Sequence, residues 1–349
     1  MIAFPCQSGI IHAETSTFGQ SVNCGRLTCD ALNEASGLAM SHHYTNVLWS
    51  HNDSGDESRL YAMSTQGKHL GIFQLRDIEV IDCEDMTIGP GPITDTSFIY
   101  LGDIGDNKAR RNVKTIYRLK EPVIPDNSKD IHWIDHFDCI TFQYPDGSRD
   151  AETLLLDPKT RDLYVVSKRE KQVGIYRLSY PQFTASINMA EKVATIPLSW
   201  VVGGDLSPDG NELLIKTEGT VYYWKKNDQA DFVTFFSSPN LVSVPYTREL
   251  QGEAICWFRQ SMGYFTVSEE PWRFENNDAH VTFYPRLTLM DINQDLKIDI
   301  ADIMYYLETV AGRRQLPRIP LIPDINHNGK IALEEIIYGL QMLIRSEKK

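Results

Sequence analysis

An acidic residue that opens a small apolar run, followed about a dozen residues later by a second apolar run ending in polar residues, recurs along this chain. Glu34-Ala35-Ser36-Gly37-Leu38-Ala39 is answered by Val47-Leu48-Trp49-Ser50-His51-Asn52-Asp53, and Glu84-Asp85-Met86 by Phe98-Ile99-Tyr100-Leu101-Gly102-Asp103. Glu152-Thr153-Leu154-Leu155-Leu156 is answered by Leu163-Tyr164-Val165-Val166-Ser167-Lys168. Asp205-Leu206-Ser207 pairs with Leu213-Leu214-Ile215-Lys216, and Glu253-Ala254-Ile255 with Tyr264-Phe265-Thr266-Val267-Ser268-Glu269. The copies are spaced by roughly 50 residues with one longer gap, the range of propeller blades.

Each run is short, rich in β-branched and aromatic residues and bounded by turn chemistry such as Pro145-Asp146-Gly147 and Pro208-Asp209-Gly210. A third strand-like run follows, as in Thr115-Ile116-Tyr117-Arg118-Leu119 and Gly174-Ile175-Tyr176-Arg177-Leu178. Several short antiparallel strands per repeat predict a mainly β protein, a five- or six-bladed β-propeller. Six blades require the gap between Glu84 and Glu152 to hide one, and the apolar stretch Ile131 to Tyr144 is its candidate. Ring closure is expected from Ile10-Ile11-His12 or Gln20-Ser21-Val22 beside Val281-Thr282-Phe283. The expected division is a leader and ring-closing strand over 1–30, the propeller over 31–286, and a small module over 287–349.

In a propeller the strand-opening acids converge at one mouth of the channel. Glu34, Glu84, Glu152, Asp205 and Glu253 are therefore candidate ligands for a cation or a cationic or hydroxylated molecule. Asp85, Asp103, Asp53, His51, Lys168 and Glu269, at matched strand starts and ends, join them as candidates. Converging carboxylates repel unless a cation, a proton or basic groups offset them. The structural alternative is that each acid bonds backbone amides and holds blades together. Hard oxygen donors without a Cys or His cluster favour Ca²⁺ or Mg²⁺.

Composition narrows the classes. Of 349 residues, 42% are hydrophobic and 23% charged, as in an ordinary globular protein, and no apolar run approaches a membrane span. The net charge is −13; residues 287–349 hold nine acidic and eight basic side chains, so the remainder carries −12. An acidic main domain argues against nucleic acid, which needs a basic face. Met1 to Ala13 is mildly apolar and lacks a basic start, short for a signal peptide. Cys24 and Cys29, five apart, are candidates for a small disulfide; no Cys-x-x-Cys spacing occurs. No Gly-x-Ser-x-Gly or His-Glu-x-x-His string occurs either.

The C-terminal segment carries the sharpest pattern. Asp324-Ile325-Asn326-His327-Asn328-Gly329-Lys330 through Glu335 fits an EF-hand loop, with ligands Asp324, Asn326, Asn328, the Lys330 carbonyl and Glu335. A first loop offers Asp291, Asn293, Asp295, the Lys297 carbonyl, Asp299 and Asp302, with Leu296 in the glycine position. Amphipathic helices are expected after each: Ile303, Tyr306, Leu307 and Val310, then Ile336, Ile337, Leu340 and Leu343.

Two families are resembled. Glu84-Asp85-Met86, Gly102-Asp103-Ile104-Gly105-Asp106-Asn107, Gly203-Gly204-Asp205-Leu206-Ser207-Pro208-Asp209-Gly210 and Gln251-Gly252-Glu253 look like strings of bacterial secreted propellers, similar to the phytase-like, esterase-like and NHL or YVTN groups. Such propellers host hydrolases, lyases and pure binders. The paired loop-helix units over about 288–346 resemble a type I dockerin module, which implies Ca²⁺-dependent folding and docking to a cohesin domain. Ile300-Ala301 and Leu333-Glu334 stand where the family often has Ser-Thr, a departure that touches cohesin partnership rather than Ca²⁺. The resulting expectation is an extracellular or cell-surface Ca²⁺-binding propeller. It is either a hydrolase component of polysaccharide or phosphoester processing or a non-enzymatic binding protein with a cohesin-like or other extracellular partner.

Overall fold

A computed structural model describes residues 18–125, 130–226, 232–236, 242–249, 251–269, 279–286 and 300–314, with 333, 336, 337 and 340. The chain divides into two units, 20–286 and the combination of 1–19 with 287–349.

The larger unit is a five-bladed β-propeller. β1 (Val22–Arg26) precedes the first blade, β2 (Ala35–Met40), β3 (Val47–Asn52), β4 (Arg59–Ser64) and β5 (His69–Leu75). The second blade begins with β6 (Cys83–Pro90), β7 (Ser97–Asp103) and β8 (Lys114–Lys120); β9 (Ile131–Ile134) then adds to the first blade, and β10 (Asp138–Gln143) completes the second. β11 (Ala151–Leu156), β12 (Leu163–Ser167) and β13 (Val173–Leu178) begin the third; β14 (Asn188–Met189) visits the second and β15 (Glu191–Ile196) completes the third. β16 (Val201–Leu206), β17 (Glu212–Thr217), β18 (Val221–Lys225) and β19 (Val242–Val244) form the fourth. The fifth is β20 (Ala254–Trp257), β21 (Gly263–Val267) and β22 (His280–Pro285), closed by β1, with Val22 opposite Phe283 and Asn23 opposite Thr282. The long gap therefore hides outer strands, not a sixth blade.

The excursions β9 and β14 pair in parallel with the outer strands of the preceding blade, Ile72 with Ile131 and Phe142 with Asn188. Each covers a strand edge that would otherwise present unpaired backbone groups. The inner strands β2, β6, β11, β16 and β20 stand next to one another in a closed ring.

Blades are covered on both faces, which is why their strands read as continuous apolar runs. Leu154 and Leu156 pack with Phe98, Tyr100 and Phe142 of the second blade, whereas Leu155 packs with Leu213, Ile215 and Trp224 of the fourth. Trp49, Leu60 and Phe73 meet Ile99, Leu101 and Tyr117 in the same way between blades one and two. Cys24 and Cys29 are free thiols, so the small disulfide expected between them is not formed.

In the smaller unit the described element is α1 (Ile300–Val310), with Ile303 and Tyr306 buried and Leu307 and Val310 exposed. Asp302 is fully buried in its first turn. The other loop candidates, Asp291, Asn293, Asp295, Lys297, Asp299, Asp324, Asn326, Asn328, Lys330 and Glu335, lie outside the described residues. Of the second expected helix, Ile336, Ile337 and Leu340 are described and helical, Ile336 buried and the other two exposed; one short continuous helix among the described residues does not support the expected helical dockerin-like module. Among the described residues no helix is long and apolar enough to cross a membrane.

Candidate cation site at the channel mouth

Four inner strands share one irregularity near their start. The pairing register slips between Ala35 and Gly37, between Cys83 and Asp85, between Ala151 and Thr153, and between Val201 and Gly203. Each slip is a β-bulge, an extra residue that loses its ladder partner and has its side chain re-aimed. The bulged residues are Ser36, Glu84, Glu152 and Val202, and Glu253 sits just ahead of β20 in the fifth blade.

These positions converge. One carboxylate oxygen each from Asp53, Glu84 and Glu253 lies within 4.8 Å of the others, and the same holds for Glu84, Asp150 and Glu152. Glu84 belongs to both triads. The Ser36 hydroxyl contacts both the Glu84 carbonyl oxygen (2.6 Å) and Glu253 Oε2 (3.2 Å), tying first, second and fifth blades together.

The two triads differ in how their charge is met. The Lys168 ammonium bonds Glu152 and stands 3.9 Å from Glu253. Asp150 accepts the Asp106 N–H at 2.7 Å and pairs with Arg169 at 2.5 Å. The Asp53–Glu84–Glu253 triad is met less directly: Lys168, already bonded to Glu152, reaches Glu253 at 3.9 Å, and Lys216 acts on Glu253 from beyond ion-pair distance. Glu152 Oε2 is buried without a hydrogen-bond partner.

Burial and mutual repulsion push these acids up. Glu84 rises well above the usual carboxylate range through desolvation and then its neighbours Glu152, Asp53, Asp82 and Glu253. Desolvation and Glu253 raise Glu152 despite its lysine. Glu253 is raised by burial, which Lys168 opposes, and Asp53 by burial, which the Ser54 N–H opposes. Glu269 is pushed up to about 8 by burial and by Glu253 and Asp53, and Asp82 to about 6 by burial and by Asp53 and Asp150. Burial pulls Lys168 down, but Glu152, Glu253 and Glu84 outweigh it and hold the ammonium charged.

A rigid scaffold backs Glu84. Arg111 and Lys114 donate to the Gly105 carbonyl at 2.9 and 3.1 Å and pair with Asp103 (2.7 Å) and Asp106 (2.9 Å). A Cβ on Gly105 would overlap Glu84 Oε1 and come within 2.6 Å of the Asp82 carboxyl, so only glycine lets this backbone approach the cluster.

The sequence candidates thus separate. Asp53, Glu84, Glu152, Lys168 and Glu253 come together, with Glu269 beside them. Asp85 instead accepts the Met86 and Leu154 N–H groups at 2.8 and 2.9 Å. Asp205 accepts the Trp257 N–H at 2.8 Å; burial lifts it to about 7 against that bond. Both clasp a neighbouring blade. Asp103 accepts the Ile81 and Asp82 N–H groups besides Arg111. Glu34 is exposed, and its carbonyl accepts the Asp53 N–H at 2.9 Å. His51 Nδ1 lies 2.7 Å from the Asn52 carbonyl oxygen, its Nε2 packs under Gly37, and burial lowers it to about 4, a neutral ring outside the cluster. Asp150, Asp82 and Ser36 were not anticipated. The available signal was the repeated Asp-x-Glu of Asp82-Cys83-Glu84 and Asp150-Ala151-Glu152.

No protein-family model matches this chain, and no curated protein sequence matches it. Among solved structures, Kuenenia stuttgartiensis hydrazine synthase is similar at 9% identity and a TM-score of 0.39, over 71% of this chain and 82% of its own. A likeness of that size carries no functional argument, and the blades rest on the strand topology itself.

Proposed function

We propose that this propeller is a binding protein whose channel mouth holds one hard divalent cation, Ca²⁺ or Mg²⁺, on Asp53, Glu84 and Glu253. The observation that supports it most is the imbalance between the two triads. Tethered cations bond Asp150 and Glu152 directly, while among the described residues the triad Asp53, Glu84 and Glu253 has one ion pair, to a Lys168 already bonded to Glu152 and 3.9 Å from Glu253. Carboxylate oxygens are the donors that hard divalent ions take. The test is calorimetric titration of chelator-stripped protein with CaCl₂ and MgCl₂. Wild type is expected to bind one more equivalent than Glu253→Gln, and equal stoichiometry in the two contradicts the site.

A second reading, hydrolysis of polysaccharide or phosphoester, is favoured by one group. Glu269, lifted to about 8 beside Glu253 and Asp53, keeps its proton at neutral pH and has the character of a general acid. Activity on such substrates that disappears in Glu269→Gln is its test.

Cation binding by the loops at 291–302 and 324–335, docking to a cohesin-like partner and an extracellular location are further parts of this proposal, and they rest on the sequence patterns alone. A Ca²⁺ equivalent lost in Asp324→Ala but retained in Glu84→Gln supports the loops.

A further inference from the structure

Beside the acid cluster lies a cavity of about 640 Å³ whose walls include Val202, Glu218, Arg248, Glu249, Gln251 and Glu253. Glu253 belongs both to this cavity and to the Asp53–Glu84–Glu253 triad. We infer that the cavity takes a neutral saccharide, with a vicinal pair of its hydroxyl oxygens completing the coordination of a cation held by that triad. The inference rests on the cation reading above and names the ligand class of the same site.

Coordination number supplies the first argument. Ca²⁺ takes roughly six to eight oxygens. Three carboxylates fall short of that unless all bind through both oxygens, and Glu253 Oε2 already accepts from Ser36. Open positions therefore remain, and Glu253, common to the triad and the cavity wall, puts the cavity next to them. Volume agrees, since small-molecule sites span about 300–1,000 Å³, enough for one or two sugar rings. The buried, unpartnered Glu152 Oε2 shows that this end of the channel holds polar capacity that the protein itself does not satisfy.

Charge selects the class. Glu218, Glu249 and Glu253 line the cavity. The buried Lys216 ammonium answers Glu249 at 2.9 Å, and Arg248 lines the same cavity. A divalent ion on three carboxylates still leaves one negative charge. A phosphate or uronate entering here meets a negative field, and a cationic ligand competes with the ion itself. A neutral polyol meets neither obstacle. Arg248 and the Gln251 amide offer donors, Glu218 an acceptor and Val202 an apolar wall, the mixture that hydroxyls and ring C–H groups require.

The experiment uses full-length protein on an array of neutral gluco-, manno-, galacto- and xylo-configured oligosaccharides, with inorganic phosphate and oligogalacturonate as competitors. Ca²⁺ binding without glycan is titrated in parallel on wild type and Glu253→Gln, and Ca²⁺ uptake below means the equivalent lost in that variant. At least one neutral glycan is expected to bind in Ca²⁺ and to lose about tenfold or more in affinity in chelator, a change of about 1.4 kcal/mol. Arg248→Ala is expected to weaken that glycan severalfold with an unaltered melting transition. Ca²⁺ uptake with no glycan binding overturns the inference and leaves the cation reading standing. So does glycan binding indifferent to chelator, or displacement by phosphate or oligogalacturonate. Absence of Ca²⁺ uptake overturns both.

Discussion

Replacing Glu84 by Gln separates a cation site from a structural role, because the two demand opposite signs. Glu84 is 3% exposed and belongs to both triads. Two ionised carboxylates within 4.8 Å of each other repel by roughly 3 kcal/mol or more at an effective dielectric near 20. Burial first and this repulsion second favour the protonated form, which is why Glu84 titrates well above its unfolded value. Stability is then complete below the unfolded value, near pH 4.3, and is lost as pH rises toward the folded one. Each unit of that rise is worth about 1.4 kcal/mol. At pH 8 without a cation, Glu84→Gln is expected to stabilise the propeller by about 1–3 kcal/mol, roughly 2–6 °C in melting temperature. In Ca²⁺ at one hundred times its Kd, wild type gains about 2.7 kcal/mol, about 5 °C, and the variant gains nothing at this site. Tryptophan fluorescence is the assay, since all six tryptophans lie between residues 49 and 272 and so report the propeller. A variant that melts several degrees lower in chelator, or still shifts with Ca²⁺, refutes the reasoning.

Three further outcomes follow from the same geometry. Cation affinity is expected to fall between pH 8 and pH 6, because Glu269 (about 8) and Asp82 (about 6), both beside the triad, take up protons over that range. Calorimetry in buffers of different ionisation heat then shows net proton release on binding near pH 7, and equal heats contradict this. Lys168→Met removes the ammonium that answers Glu152 and is expected to add a second cation equivalent on Glu84, Asp150 and Glu152; unchanged stoichiometry counts against the tethered-cation view. Asp85→Ala strips the acceptor from the Met86 and Leu154 N–H groups and is expected to cost about 1–3 kcal/mol per orphaned group, while the Ca²⁺-induced melting shift persists.

The fold was legible because the blades are buried on both faces. Leu154, Leu155 and Leu156 are all apolar since the first and third face the second blade and the middle one faces the fourth. Blade number was not legible, because β9 and β14 leave their own blades to cover neighbours, and no local pattern announces such an excursion. Glu84, Glu152 and Glu253 were found by their place ahead of apolar runs. Glu34 and Asp205 were aligned with them by the same rule and fall elsewhere. The counterpart of Glu84 in the first blade is Ser36 and in the fourth Val202, since the bulge rather than the acid sets the position. A bulge is a slip between two strands and leaves no mark in either strand alone. Asp85 and Asp205 show the other limit. An acid that accepts a neighbouring blade's N–H and one that faces a ligand differ only in tertiary surroundings.

The most direct measurement of the central claim is anomalous scattering from crystals grown in Ca²⁺ and collected at long wavelength. The account predicts an anomalous peak bonded by Asp53, Glu84 and Glu253 at about 2.3–2.6 Å, with Lys168 retained on Glu152. No peak among those three carboxylates, in crystals that carry Ca²⁺ elsewhere or nowhere, contradicts it.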